Sequence, residues 1–112
     1  MGRVQSLADL DYLDFVLAHV RVGACFDPRR CIVVGKQSER ALLIPCSAQL
    51  DLYKPRRDFL IEESRPEFPA TELTKTSFAI DGPVQEVEIE RIRKVYGKLT
   101  GQLAKEFESW LG

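Results

Sequence analysis

Apolar residues recur along this chain in short runs separated by polar turn residues, a pattern typical of a protein built mainly from β-strands. Residues 15–20 (FVLAHV), 31–35 (CIVVG) and 41–45 (ALLIP) are apolar, and each predicts a buried strand. The polar stretch KQSE separates the second run from the third and predicts a hairpin. Residues 58–62 and 75–81 predict two more short strands, the second ending at an Asp-Gly turn.

The segments between these runs carry helix and loop signals. Residues 7–14 predict a short helix with Ser6 as its N-cap. Residues 21–30 contain glycine, aspartate and proline and predict a loop. Residues 65–73 contain two prolines, so a further loop is expected there.

The C-terminal part of the chain changes its period. Strand alternation continues to about Ile89, and the spacing that follows predicts a helical turn over 92–96. After Thr100, a candidate N-cap, apolar residues at helical spacing predict an amphipathic helix of about three turns. They are Leu103, Phe107, Trp110 and Leu111. Five or six short strands followed by a helix predict a mainly β fold with α, a small antiparallel barrel or curved sheet.

Composition limits the class of protein. The chain has 112 residues, 45% hydrophobic and 29% charged, so residues 1–112 are expected to form one domain with its own core. No apolar run is long enough for a transmembrane helix. Aspartates at positions 9, 11 and 14 interrupt the start, which excludes a secretory signal and favours a cytoplasmic protein. The net charge of −1 gives no sign of nucleic-acid binding by the chain as a whole.

The cysteines do not predict a metal or disulfide framework. There are three, Cys25, Cys31 and Cys46, with no CxxC pair and only one histidine in the chain. Cys31 and Cys46 lie in apolar runs and are interpreted as small buried residues in a reducing compartment. Cys25 lies in the predicted loop and is expected to be exposed. None of the three is assigned a catalytic role.

Two stretches carry candidate chemistry. In DPRRCIVV, Arg29 and Arg30 come just before a predicted strand, and in LLIPCSAQ a strand ends in proline, cysteine and Ser47. The two strands form the predicted hairpin, so Arg30 and Ser47 are expected at the same end of the sheet.

The order of these stretches, followed by LTKTSFAI, by YGKL and by the terminal helix, resembles the MazF/PemK family of toxin–antitoxin toxins. That family consists of small mRNA endoribonucleases with an SH3-like barrel of the MazF/PemK/CcdB type. The resemblance covers about residues 13–111 and leaves 1–12 as an N-terminal extension. It also has departures: Leu13 stands where the family has glycine, Cys31 where it has proline, and Ser47 where it usually has threonine.

The resemblance implies cleavage of single-stranded mRNA by attack of the RNA's own 2′-hydroxyl, leaving a 2′,3′-cyclic phosphate without metal or cofactor. It makes Arg30 and Ser47 the catalytic candidates, because a guanidinium donates paired hydrogen bonds to phosphate and a hydroxyl adds another. Tyr53 or Phe59 would offer a stacking surface. The candidate RNA-binding residues are Arg29, Gln49, Lys54, Arg56 and Arg57. The implied partners are RNA, a second copy in a homodimer and a cognate antitoxin with an acidic tail; no membrane partner is implied.

Each candidate also has a purely structural interpretation. Arg30 is equally well explained as a loop cation paired with Asp27, and Arg29 is an alternative to Arg30. Ser47 at a strand end is commonly a turn residue that hydrogen-bonds its own backbone. His19 alternates with apolar residues and is better explained as a core or rim histidine than as a general base.

Two other functions remain open from the sequence. A CcdB-like toxin would target DNA gyrase through the terminal helix, with Trp110 as the residue of interest. A catalytically silent MazF/PemK-like domain would keep the fold as a binding module.

Overall fold

The computed structural model of the protein describes the backbone of residues 6–22 and 24–112, and the side chains of these residues apart from Val22 and Cys25. The expectation that Cys25 is exposed therefore lies outside the described residues. Within this part the strands are β1 (Asp14–Val22), β2 (Cys25–Gln37), β3 (Arg40–Ser47), β4 (Phe59–Ile61), β5 (Ser77–Ala79), β6 (Gln85–Glu88) and β7 (Ile92–Lys98). The α-helices are α1 (Phe68–Thr71) and α2 (Gly101–Leu111). Short 3₁₀ turns occupy Leu7–Asp9, Leu50–Leu52 and Ile89–Arg91.

The strands form a mainly antiparallel sheet in the order β4-β5-β3-β2-β1-β7, with β6 paired to β3. The predicted mainly β fold with a C-terminal helix is therefore confirmed. Among the described residues, the sheet is not closed into a continuous barrel. Between β6 and β1, the side-chain amide of Gln85 takes the place of a strand pair: it accepts a hydrogen bond from the Arg21 N–H at 3.0 Å and donates to the Arg21 carbonyl at 2.5 Å.

The central hairpin agrees with its prediction. Strands β2 and β3 pair antiparallel from Cys31 opposite Pro45 to Gln37 opposite Arg40. Ser38 and Glu39 both have positive φ and form a two-residue turn, which is shorter than the four-residue turn predicted over KQSE.

The predicted loop over 21–30 is wrong, because β2 already begins at Cys25. Phe26 pairs with Arg21, and Pro28 pairs with His19 on β1. Pro28 is tolerated because the β2–β3 ladder starts only at Cys31, so that side of β2 is a free edge and needs no N–H donor.

Three further predictions need correction. The helical turn expected over 92–96 is part of β7, because this segment pairs with β1. The helix expected over 7–14 is reduced to the 3₁₀ turn Leu7–Asp9, where the Asp9 carboxylate accepts the Ser6 N–H at 3.1 Å. The expected loop over 65–73 contains the one-turn helix α1.

Strand alternation divides the core between the two faces of the sheet. Cys31 and Val33 belong to a cluster on one face, whereas Ile32 belongs to a second cluster on the other. Helix α2 covers this second cluster with Leu103 and Phe107, as its apolar spacing predicts. No helix in the described residues is both long and apolar enough to cross a membrane.

Cys31 and Cys46 are buried free thiols, which confirms their interpretation as small core residues. Burial raises the pKa of Cys31 to about 12 and raises the pKa of Cys46 well above its usual value. Both thiols are therefore neutral near pH 7 and poor nucleophiles.

Candidate functional site

A cavity of about 430 Å³ lies where β2 begins and β3 ends. The pairing of Cys31 with Pro45 is the last rung of the hairpin at this end, so Arg30 and Ser47 flank it from the two strands. Both residues line the cavity. Its other charged or hydroxyl-bearing side chains include Asp27, Arg29, Thr74, Lys75 and Ser77. Cations therefore outnumber the carboxylate, which suits an anionic ligand.

The guanidinium of Arg30 is held in place by neutral groups. Its Cζ lies 3.8 Å from the ring centroid of Tyr96, and Nη1 donates to the Glu72 carbonyl at 2.9 Å. Within the described part of the chain, no carboxylate lies within 4.0 Å of it, so its charge is oriented without being neutralised. The proposed ion pair between Arg30 and Asp27 is wrong, because Asp27 lies beside Arg29 at 4.0 Å instead.

The carbonyl that accepts from Arg30 is fixed by the local backbone. Glu72 adopts a left-handed conformation with φ of 59°, which ends helix α1. The buried Thr71 hydroxyl donates to the Phe68 carbonyl at 2.6 Å and accepts the Leu73 N–H at 3.1 Å. On β7, Gly97 permits close contact with α1, since an added Cβ would lie 2.1 Å from the Ala70 carbonyl oxygen. Strand β7 therefore supplies both the ring under Arg30 and the surface that positions α1.

Ser47 is buried, and its Oγ accepts the Gln49 N–H at 3.1 Å. The interpretation of Ser47 as a turn residue that bonds its own backbone is therefore confirmed. This bond uses the oxygen as acceptor, and the described residues provide no acceptor for the hydroxyl hydrogen. Ser47 is therefore still able to donate a hydrogen bond into the cavity.

Arg29 and Arg30 are adjacent but point to opposite faces of β2. Arg29 lines a second cavity of about 220 Å³, together with Ser47, Lys54 and Arg57, which Arg30 does not line. The Nε of Arg29 is buried and has no hydrogen-bond partner within the part of the chain that the structure describes. Ser47 and Arg29 both line the two cavities.

The remaining predicted RNA-binding residues lie in the segment after β3. Arg57 pairs with Asp81 at 3.3 Å, and its carbonyl accepts the Trp110 indole N–H at 2.8 Å. Lys54 lines the second cavity, whereas Arg56 and Gln49 are exposed and line neither cavity.

The aromatic residues near this segment mainly stabilise the fold. Phe59 packs against Phe107 and Trp110, with ring centroids 5.4 and 5.8 Å apart, and its role as a stacking surface stays a prediction. Tyr53 packs against Phe78 at 5.5 Å. Trp110 is itself part of this ring cluster and lies half-buried.

His19 is not brought to Ser47. It is half-buried opposite Pro28 and lines a third cavity with Phe26, Arg91 and other exposed residues. This position agrees with its interpretation as a rim histidine.

Sequence reasoning missed Tyr96 and Lys75 as parts of the site. Both lie inside stretches that carry the family resemblance, YGKL and LTKTSFAI, so the motif order was the signal that could have found them. Periodicity was misleading at Tyr96, because it predicted a helical turn where a strand directs the ring toward Arg30.

No protein-family model matches this chain, and no curated protein sequence matches it significantly. No group of three or more His, Cys, Asp or Glu side chains suited to a metal ion occurs among the described residues. The fold and site define a small antiparallel β domain with a basic, hydroxyl-lined pocket at one end of its central hairpin.

Proposed function

We propose that the protein is a metal-independent, sequence-selective endoribonuclease toxin with a MazF/PemK-type SH3-like barrel, which cleaves single-stranded mRNA. The single observation that carries this proposal is the placement of Arg30 and Ser47 in one cavity. Arg30 is fixed by a carbonyl and a ring rather than by a carboxylate, so its charge is available to a phosphate. Such pre-oriented donors stabilise charge that develops in a transition state.

In the proposed reaction, the 2′-hydroxyl of one nucleotide attacks the adjacent phosphate. The bond to the 5′-oxygen of the next nucleotide breaks and that oxygen takes up a proton from water, while the 2′-hydroxyl proton is lost to water. The products are a 2′,3′-cyclic phosphate and a free 5′-hydroxyl. Arg30 donates to the phosphoryl oxygens as their negative charge increases. Ser47 donates its hydroxyl hydrogen to the same phosphate and so holds the phosphate in position beside Arg30. Lys75 and Arg29 add positive charge around the cavity.

The same proposal includes the partners. A homodimer would align two such pockets, and a cognate antitoxin with an acidic, disordered tail would occupy the basic surface and exclude RNA. The cytoplasm, where mRNA is present, is the proposed location.

The proposal is tested by incubating the purified protein with single-stranded RNA in excess EDTA and analysing the product ends. Arg30→Ala should reduce the cleavage rate about 100- to 1,000-fold, because it removes the main charge-stabilising donor. Ser47→Ala should reduce it by a smaller factor. Lys105→Ala changes an exposed cation on α2, outside both cavities, and should cleave like the wild type.

Several results would contradict the proposal. Cleavage by the Arg30→Ala variant at the wild-type rate would exclude this pocket as the catalytic site. RNA binding without cleavage by the wild type would favour the silent binding module. Growth arrest on expression with intact mRNA and gyrase-linked DNA damage would favour the CcdB-like toxin.

A further inference from the structure

Beyond the pocket, one open face of the sheet carries cations and aromatic rings, of which the proposed chemistry uses only Tyr96, the ring under Arg30. It is formed by the ends of β1, β2 and β7, and we call it the basic face. Its members are Arg21, Phe26, Arg91, Arg93, Lys94 and Tyr96.

Strand register places this face beside the catalytic candidates. On β2, Phe26, Pro28 and Arg30 are two residues apart, so they share one face and span about 13 Å. Phe26 lies opposite Arg21, and Arg30 lies opposite Leu17, which pairs with Lys94 on its other side. The face is therefore continuous from Phe26 to Arg30.

Phe26 is a large apolar residue that is exposed rather than packed in the core. About 49% of the residue is accessible to solvent. The guanidinium carbons of Arg91 and Arg21 lie over its ring, 4.6 and 5.8 Å from the centroid. An exposed ring flanked by cations is the combination that single-stranded nucleic-acid sites use, where bases stack and cations contact the backbone.

The cations of this face are largely unpaired. In the described part of the chain, Arg21, Arg93 and Lys94 have no carboxylate within 4.0 Å. Arg91 has Glu88 at 3.9 Å, but both side chains are about half exposed, so this pair is weak. Because the whole chain has a net charge of −1, this concentration of cations is a local feature rather than a general excess.

We propose that the basic face binds the single-stranded RNA that flanks the cleaved phosphate. One base stacks on Phe26, and backbone phosphates contact Arg21, Arg91 and Lys94. Pro28 and Arg30 also line the proposed catalytic cavity, so a strand bound at Phe26 runs directly into it. The inference rests on the proposed function for the choice of RNA, but its binding step is tested without cleavage.

The aromatic residue favours a nucleic acid over an acidic peptide as the occupant. Carboxylates of a peptide would be satisfied by the arginines and lysine alone. A nucleobase also uses the exposed part of the Phe26 ring, and every base has a π-face, so the stacking tolerates different sequences.

The experiment measures fluorescence anisotropy with a labelled 2′-O-methyl oligouridylate of about 16 nucleotides, which lacks the 2′-hydroxyl needed for cleavage. Phe26→Ala should weaken its binding about 5- to 150-fold. Phe26→Leu, which keeps apolar volume without a ring, should also bind weakly, whereas Phe26→Tyr should retain the affinity.

Arg21→Ala and Lys94→Ala should each reduce the slope of log affinity against log salt concentration by about 0.7. Lys105→Ala is the control for charge, and circular dichroism checks that each variant is folded.

The expected pattern is weak binding by the ring and charge variants beside unchanged binding by Lys105→Ala. Wild-type affinity in folded Phe26→Ala and Phe26→Leu would overturn the inference. A labelled oligoglutamate is measured in parallel as a model of an acidic peptide. If the ring and charge variants lose oligoglutamate binding but keep oligonucleotide binding, the inference is overturned in favour of an acidic protein partner. If the wild type binds the oligonucleotide through Phe26 but cleaves no RNA, the proposed function fails and the binding of single-stranded RNA by the basic face stands. If it cleaves RNA while Phe26→Ala and Phe26→Leu bind normally, the inference fails alone.

Discussion

The covered and open ends of one sheet face differ although the same strands form both. At the covered end, Phe15 on β1 and Ile32 on β2 are fully buried beneath α2. Farther along that face, His19 is half-buried and Phe26 is exposed. Helix α2 has 11 residues and is about 16 Å long, so it covers only one end. The length of α2 therefore determines where the core ends and where the candidate ligand surface begins.

The largest expected effect tests whether the two ends differ energetically. Phe107 on α2 is fully buried at the covered end. Phe107→Ala should lower the free energy of unfolding by about 3–5 kcal/mol. Phe26→Ala at the open end should change it by only about 0.5 kcal/mol, because the ring is exposed. Urea denaturation measures both, and a cost for Phe26→Ala equal to that of Phe107→Ala would show that the open end is also core.

A smaller effect is expected at Gly97, which lies on β7 beside the covered end. An added Cβ there would lie 2.1 Å from the Ala70 carbonyl oxygen and 2.8 Å from that of Thr71. These are backbone atoms, so α1 must move away from β7. Gly97→Ala should cost about 1–3 kcal/mol of stability. It should also slow the proposed cleavage, because α1 carries the Glu72 carbonyl that orients Arg30.

Gly82→Ala is the matched control, since a Cβ built at Gly82 meets no described residue beyond its chain neighbours within 4 Å. Equal stability and equal cleavage in the two alanine variants would exclude Gly97 as the residue that permits this contact.

Local sequence patterns predicted the covered end well. The apolar run 31–35 and the helical spacing of Leu103 and Phe107 report burial directly, because a side chain that faces the core must be apolar. The same local patterns failed to predict the strand at the open end. Its part of β2 contains Asp27 and Pro28, which signal a loop, and only the partner strand β1 makes the segment extended.

The candidate site was partly predictable for a similar reason. Hairpin pairing is local, so Arg30 and Ser47 follow from the sequence around one turn. The ring under Arg30 comes from Tyr96, far along the chain, and no local pattern encodes that contact. The opposite orientations of Arg29 and Arg30 depend on strand register, which became visible only with the structure.

Tyr96 should affect catalysis more than stability. Tyr96→Ala removes the ring whose centroid lies 3.8 Å from the Arg30 guanidinium. Because the guanidinium is then less well oriented, the proposed cleavage rate should fall about tenfold. Tyr96→Phe keeps a ring and should cleave at nearly the wild-type rate. Single-turnover rates at saturating RNA separate this positioning effect from binding. A loss in Tyr96→Phe as large as that in Tyr96→Ala would assign the effect to the phenol hydroxyl instead.

The smallest effect concerns the tether that holds α2 over the covered end. Arg65 donates to both carboxylate oxygens of Glu106 at 2.9 and 3.2 Å, and Glu67 accepts the Leu103 N–H at 3.0 Å. The hydrogen bonds from Arg65 hold the pKa of Glu106 below its usual value. For Glu67, burial would raise the pKa, but backbone hydrogen bonds and Arg65 outweigh it, so its pKa is also lowered.

A carboxylate whose pKa is lowered by folding stabilises the protein above its unfolded pKa, near 4.3 for glutamate, and loses this contribution as the pH falls through the folded value. The Tm should therefore fall as the pH drops below about 4.3. Arg65→Met should lower the Tm by a few degrees at neutral pH and flatten this acid dependence, because the carboxylates lose their partner. Arg40→Met, which breaks an exposed pair with Glu86, is the control. An unchanged acid dependence in Arg65→Met would mean that the hydrogen bonds from Arg65 to Glu106 do not hold α2 on the covered end.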